Sequence, residues 1–246
     1  MRKRSSTQLN CFSPPVMLAT LTIEGMLAVY TVWRYHMEPL SRLVTTTLVM
    51  LGTFQLAEYF VCTGYGLHAE AWSRLGFVAI STLPPLGLHI LHELADKPRR
   101  RLVVSAYASM AAFIAVFLTY KTAFIGHQCT GNYVIFQLGE RLGGLYGIYY
   151  YGWLLTAMAL GVHWANHIKS KAVPERARLE AIRGMIIGYL VFLVPTALAN
   201  TVKPDTRQGI PSIMCGFAVL FALILVFYIL PRAGVHKREV LTKKQS

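Results

Sequence analysis

The sequence predicts an all-α membrane protein: a seven-transmembrane-helix bundle, N-terminus outside and C-terminus cytoplasmic, forming one domain over residues 1–246. Composition carries the class. Of the residues, 54% are hydrophobic and only 14% charged, with a mean hydropathy of +0.46, whereas soluble domains carry about 25% charged residues. So few charges cannot cover a 27.5 kDa globule, and disorder requires the opposite composition. Seven apolar runs carry the helix count, because a spanning helix needs about 20 largely apolar residues. The distribution of basic residues carries the orientation.

The first run, Pro15 to Trp33, follows Arg2-Lys3-Arg4 as a secretory signal would. It contains Glu24 and lacks a small-residue cleavage site, so it reads as a span. The second runs from Leu43 to Val61. The third, Gly76 to Leu91, is the shortest and carries Pro84-Pro85, where a kink is expected. The fourth runs from Leu102 to Phe124. Thr130 to Leu138 is too short to span and reads as a turn plus a strand or interfacial segment. In the fifth, Leu145 to Ala165, the cluster Tyr146, Tyr149, Tyr150, Tyr151 and Trp153 suits an aromatic belt; Tyr149 and Trp153 share a face that would suit a pocket mouth. The sixth, Gly184 to Val202, opens with a Gly184-x-x-x-Gly188 packing face and has a polar outer half in Pro195, Thr196, Asn200 and Thr201. The seventh runs from Ile210 to Leu230. The polar ends are too short for an output domain.

Sixteen of the 24 Lys and Arg residues fall in the Arg34–Arg42, Lys97–Arg101 and Lys169–Arg183 loops and the tail after Arg232. The positive-inside bias places that side in the cytoplasm of a bacterial inner membrane, against the opposing Arg2-Lys3-Arg4. The net charge of +13 therefore needs only lipid as partner. A nucleic-acid binder would gather its charge on a polar surface. All four cysteines, Cys11, Cys62, Cys129 and Cys215, fall on the opposite, oxidising side. Cys62 with Cys129 makes a reasonable structural disulfide, although four cysteines allow three full pairings and a small apolar role is the alternative.

Ionisable groups at membrane depth are costly and face the interior or a cavity. Glu24 lies roughly 14 Å into the first span. Gln55, Glu58 and Cys62 share one face of the second. The expected site is an outward-facing polar pocket lined by Gln55 and Glu58, with Glu24 below and Asn200 or Tyr149 across. Protonated carboxyls that hydrogen-bond neighbouring helices and hold the bundle together are the structural alternative. Two histidine pairs, His89 with His92 and His163 with His167, could supply a metal site, or His89 and His163 a haem. Neither matches His-Glu-x-x-His, since Asp96 follows His92-Glu93 at the last position.

Several classes are excluded. The last span has no Schiff-base lysine for retinal, and the chain has no phosphate-binding glycine loop and no Gly-x-Ser-x-Gly elbow. The signature motifs of eukaryotic seven-helix receptors are missing, and so are the second- and last-span histidines of seven-helix lipid hydrolases. No inverted repeat of broken helices suggests a standard secondary transporter. Cys11-Phe12-Ser13 and Phe54-Gln55-Leu56-Ala57-Glu58 resemble a bacterial multi-pass membrane-protein family whose chains open Met-Cys-Phe-Ser and carry Gln-x-x-Glu in an early helix. The resemblance covers short stretches of the first quarter. It departs in the displaced Cys-Phe-Ser and in Tyr59, where the family has Gly. It brings no function and implies only that Cys11, Gln55 and Glu58 belong together. The expected function is a sensor or carrier that binds a small molecule or ion and works through a membrane-protein partner or a homo-oligomer. An intramembrane metal- or haem-dependent enzyme or redox protein using His89 and His163 is the rival, and a structural subunit of a larger complex the third reading.

Overall fold

A computed structural model describes residues 14–96, 100–120, 122–129, 134–168, 173–202 and 209–237. It is mostly helical. The helices are α1 (Pro14–Arg34), α2 (Pro39–Thr63), α3 (Ala69–Ala95), α4 (Arg100–Thr119), α5 (Glu140–His167), α6 (Val173–Val202) and α7 (Ile210–Leu223). The last runs on through a π-helical stretch, Ile224–Ile229, into a final turn, Leu230–Arg232. Six of them are long and apolar enough to cross a membrane. The other is α5, whose four tyrosines and several glycines dilute its apolar run.

Boundaries differ from the sequence reading where polar residues prolong a helix. α3 takes in Pro84 and Pro85 without a break and is the most buried of the six. Its ends run past the apolar stretch, taking in Glu70 and Ser73 at one end and His92-Glu93 at the other. α6 begins at Val173 rather than Gly184, since its first turns, rich in Arg and Glu, continue the same helix. α4 ends at Thr119, short of the expected Phe124. Arg74 of α3 closes it there, donating to the carbonyls of Phe117 and Tyr120.

Phe124 instead opens a strand. β1 (Phe124–Cys129) pairs antiparallel with β2 (Val134–Leu138), with an irregularity between Phe124 and Gly126. The short apolar run after Cys129 is thus one half of a hairpin. A disulfide joins Cys62, at the end of α2, to Cys129, at the end of β1, with Cα atoms 5.8 Å apart.

α3 is central and packs against α2, α4, α5 and α6, while α7 closes the bundle against α6, α1 and α2. Two opposite faces follow from the contacts. The hairpin, the disulfide and Arg74 lie on one. The other holds ion pairs of Arg178 with Asp96 at 3.6 Å and Arg232 with Glu180 at 3.1 Å. There the chain after α7 folds back, pairing Lys237 with Tyr35 and placing the His236 ring 2.8 Å from the Glu38 carboxylate.

Candidate functional site

Three side chains that hydropathy disfavours sit in the bundle centre: Glu24 of α1 is 0% exposed, Gln55 of α2 2% and Glu58 of α2 1%. α1 and α2 pack directly, and Gly52 faces α1 beside Glu24: a Cβ there would stand 3.3 Å from Leu21 and in ordinary contact with Glu24. Gln55 and Glu58, three apart, turn to the same interior. Among the described residues, Glu24 Oε1 and Oε2, Glu58 Oε1 and Gln55 Nε2 have no hydrogen-bond partner. Buried polar atoms are nearly always paired, which makes this group the most unusual chemistry in the molecule.

Glu58 is tied to the hairpin through one serine. The Ser212 side chain hydrogen-bonds the Glu58 carboxyl, and its Oγ accepts the Val134 N–H at 3.2 Å. One turn further along α7, Cys215 is buried and free, and it lines a cavity of about 520 Å³ beneath the hairpin. Phe136 of β2, Tyr146, Gly147 and Tyr150 of α5 and Met214 of α7 form much of the wall. No charged side chain lines it among the described residues. Behind Met214, Tyr150 and Cys215 lies a small void of about 30 Å³. The Tyr189 hydroxyl, on its wall, packs against Gly87, where a Cβ would collide with it.

The aromatic-belt expectation does not hold for Tyr146 and Tyr149. Both are buried and pack with Phe113, while Tyr146 also meets Phe77 and Phe117 in an interior ring cluster. The reason lies in α3. Pro85 has no N–H for the carbonyl of Ser81 four residues back, and the Tyr149 hydroxyl donates to that carbonyl at 2.5 Å. Tyr149 thus stands beside the aromatic wall, with its hydroxyl engaged in α3. The side chain of Asn200, the other residue expected across the pocket, lies outside the described part, as does Cys11.

The histidines have different neighbours. His89 Nδ1 lies 3.2 Å from the Tyr107 hydroxyl, and its Nε2 lies 3.6 Å from Glu93. His163 is exposed on α5 and its ring lies tilted beside that of His167, with centroids 4.3 Å apart. Among the described residues no group of three His, Cys, Asp or Glu side chains is arranged to hold a metal ion. Sequence reasoning missed Ser212, and it treated Cys215 only as a cysteine at a helix end. Their spacing of three on an otherwise apolar helix was the available signal. No protein-family model and no curated protein matches this chain.

Proposed function

We propose that this is a seven-span protein of a bacterial inner membrane, with its N-terminus outside and its C-terminus in the cytoplasm. It binds a small molecule or ion at Glu24, Gln55 and Glu58 and acts as a sensor or carrier. The observation that carries the site is the unpartnered set of oxygens and amide nitrogen, all buried at the bundle centre. A group that had only to hold helices together would be satisfied by its neighbours, whereas these atoms are free to meet a guest. Support for a seventh span comes from α5, whose 28 residues extend about 42 Å at 1.5 Å per residue and pack between α3 and α6. Support for the orientation comes from the basic loops, which collect on the face opposite the hairpin.

The test is what the purified protein keeps. Native mass spectrometry, with elemental analysis of the same sample, should find a small molecule or ion on the wild type. It should be lost when Glu24→Gln and Glu58→Gln are combined in a variant of normal elution profile. Equal retention by both proteins would sink the reading.

A further inference from the structure

The cavity beneath the hairpin, about 520 Å³, and the void of about 30 Å³ behind it are both walled by Tyr150, Met214 and Cys215. A partition one residue thick therefore separates them. Glu24, Gln55 and Glu58 line neither space, and no charged side chain does so among the described residues. On the wall of the void stands a polar group with nothing to bond. The Tyr189 hydroxyl is buried, has no hydrogen-bond partner among the described residues, and lies against Gly87. It is held there, because the ring is stacked on Phe221 and set edge-on to Phe192, with centroids 5.6 and 6.0 Å away. A buried hydroxyl without a partner is costly, and such groups are nearly always satisfied. Size limits what can satisfy this one. About 10–15 Å³ of such volume admits a water, so 30 Å³ takes a carbonyl- or hydroxyl-sized group and no ring. The larger cavity falls within the range of drug-sized sites and, with Ile135, Phe136 and Tyr146 in its wall, suits an apolar body. Between the two, Met214 has three rotatable bonds. The hydrogen bond it accepts from the Tyr151 hydroxyl, 3.4 Å to a thioether, is weak, so this side chain can turn aside.

We propose that the two spaces form one binding site for a neutral, mainly apolar molecule that ends in a carbonyl group. The body lies beneath the hairpin, and the carbonyl passes Met214 to accept the Tyr189 O–H. A phenol donates more strongly than it accepts, and the Cys215 thiol on the same void is a weak donor, so an acceptor tip fits. A charged guest does not, since neither wall holds an ionised partner to replace its lost hydration. This site is separate from the one at Glu24, Gln55 and Glu58 and does not rest on it.

The probe is prodan, a fluorescent naphthalene that carries a propanoyl ketone, set beside its propyl analogue, in which CH2 replaces the carbonyl. Both are titrated onto the full chain in nanodiscs of diether lipid, which has no carbonyl of its own, with empty nanodiscs subtracted. Prodan is expected to bind saturably and about fivefold more tightly than the analogue, the worth of one net hydrogen bond. Tyr189→Phe, which keeps the ring, should erase that preference, shift the bound prodan emission to the blue, and leave the analogue's affinity in place. Gly147→Phe should weaken both probes, because a Cβ at 147 meets nothing within 4 Å at the cavity wall. The Cys62–Cys129 bond, assayed by thiol count, reports that each variant has folded. Repeating the titration in diester lipid separates two sources of the carbonyl: weaker prodan binding there assigns the site to a lipid ester, and unchanged binding to a free ketone or quinone. Equal affinity for the two probes, or a preference that survives Tyr189→Phe, overturns the proposal. So does the lack of saturable binding, which would leave a buried water as the partner of Tyr189.

Discussion

The Tyr149 hydroxyl donates to the Ser81 carbonyl that Pro85 leaves without its helical partner, so a proline on one helix selects a tyrosine on another. Tyr149→Phe should cost about 1 kcal/mol, the scale of an interhelical hydrogen bond in lipid. In a Pro85→Ala background, where the backbone N–H at 85 is restored, the loss should shrink. Thermal unfolding of the four proteins in one detergent measures the coupling; an equal loss in both backgrounds would show that the bond is incidental. Ser212 makes a second residue-scale link, holding Glu58 on one side and the Val134 N–H on the other. Ser212→Ala should leave the fold intact and speed hydrogen exchange at Val134 more than at His127 or Phe136, which pair within the hairpin. The buried carboxyls were legible in the sequence because charge is expensive in lipid. Their partners were not, because Ser212 lies more than 150 positions from Glu58 and no local pattern joins them.

At the scale of elements, the approach of α6 to α7 is set by Gly184 and Gly188. A Cβ on Gly184 would stand 2.8 Å from the Tyr228 ring, and one on Gly188 would collide with Phe221. The Gly-x-x-x-Gly spacing announced this contact in advance, since small residues one turn apart let two backbones close in. Gly188→Leu should therefore overpack the pair and cost about 1–3 kcal/mol, read as a lower midpoint of thermal aggregation. Phe221→Ala in the same chain should return part of that loss. A midpoint unchanged by Gly188→Leu would mean that the helices separate without cost. The hairpin was only half legible: β2 stood out as a short apolar run, whereas β1 gave its first residue, Phe124, to the preceding span and the rest of it was assigned to no element. What ends α4 is Arg74, which reaches the Phe117 and Tyr120 carbonyls from α3, a distant contact that no window of sequence contains.

Across the whole molecule, the disulfide and the sidedness stand together. Cys62–Cys129 closes a loop across 67 positions and pins the hairpin to α2. Replacing both cysteines by serine should cost about 2–4 kcal/mol, seen as a lower melting midpoint, and should loosen the cover over the cavity. No change in the midpoint would mean that the hairpin holds without its tether. A fluorescent reporter fused after Lys237 should light the cytoplasm, and alkaline phosphatase fused there should be inactive. The reverse pair of signals would invert the proposed topology and place the hairpin inside the cell.

By itself the sequence determined the local character of each stretch: apolar runs of spanning length, basic loops between alternate pairs of them, a close-packing glycine face, and two carboxyls within apolar runs. Those features are local, written within one or two helical turns, so hydropathy and spacing reveal them. Only the tertiary structure decided which groups meet. It set α1 at Glu24 against Gly52, tied Glu58 to the hairpin through Ser212, turned Tyr146 and Tyr149 inward, and put His89 beside Tyr107. Those choices depend on the rotation of each helix about its own axis, and that rotation is settled by packing among all the helices at once rather than within any one of them.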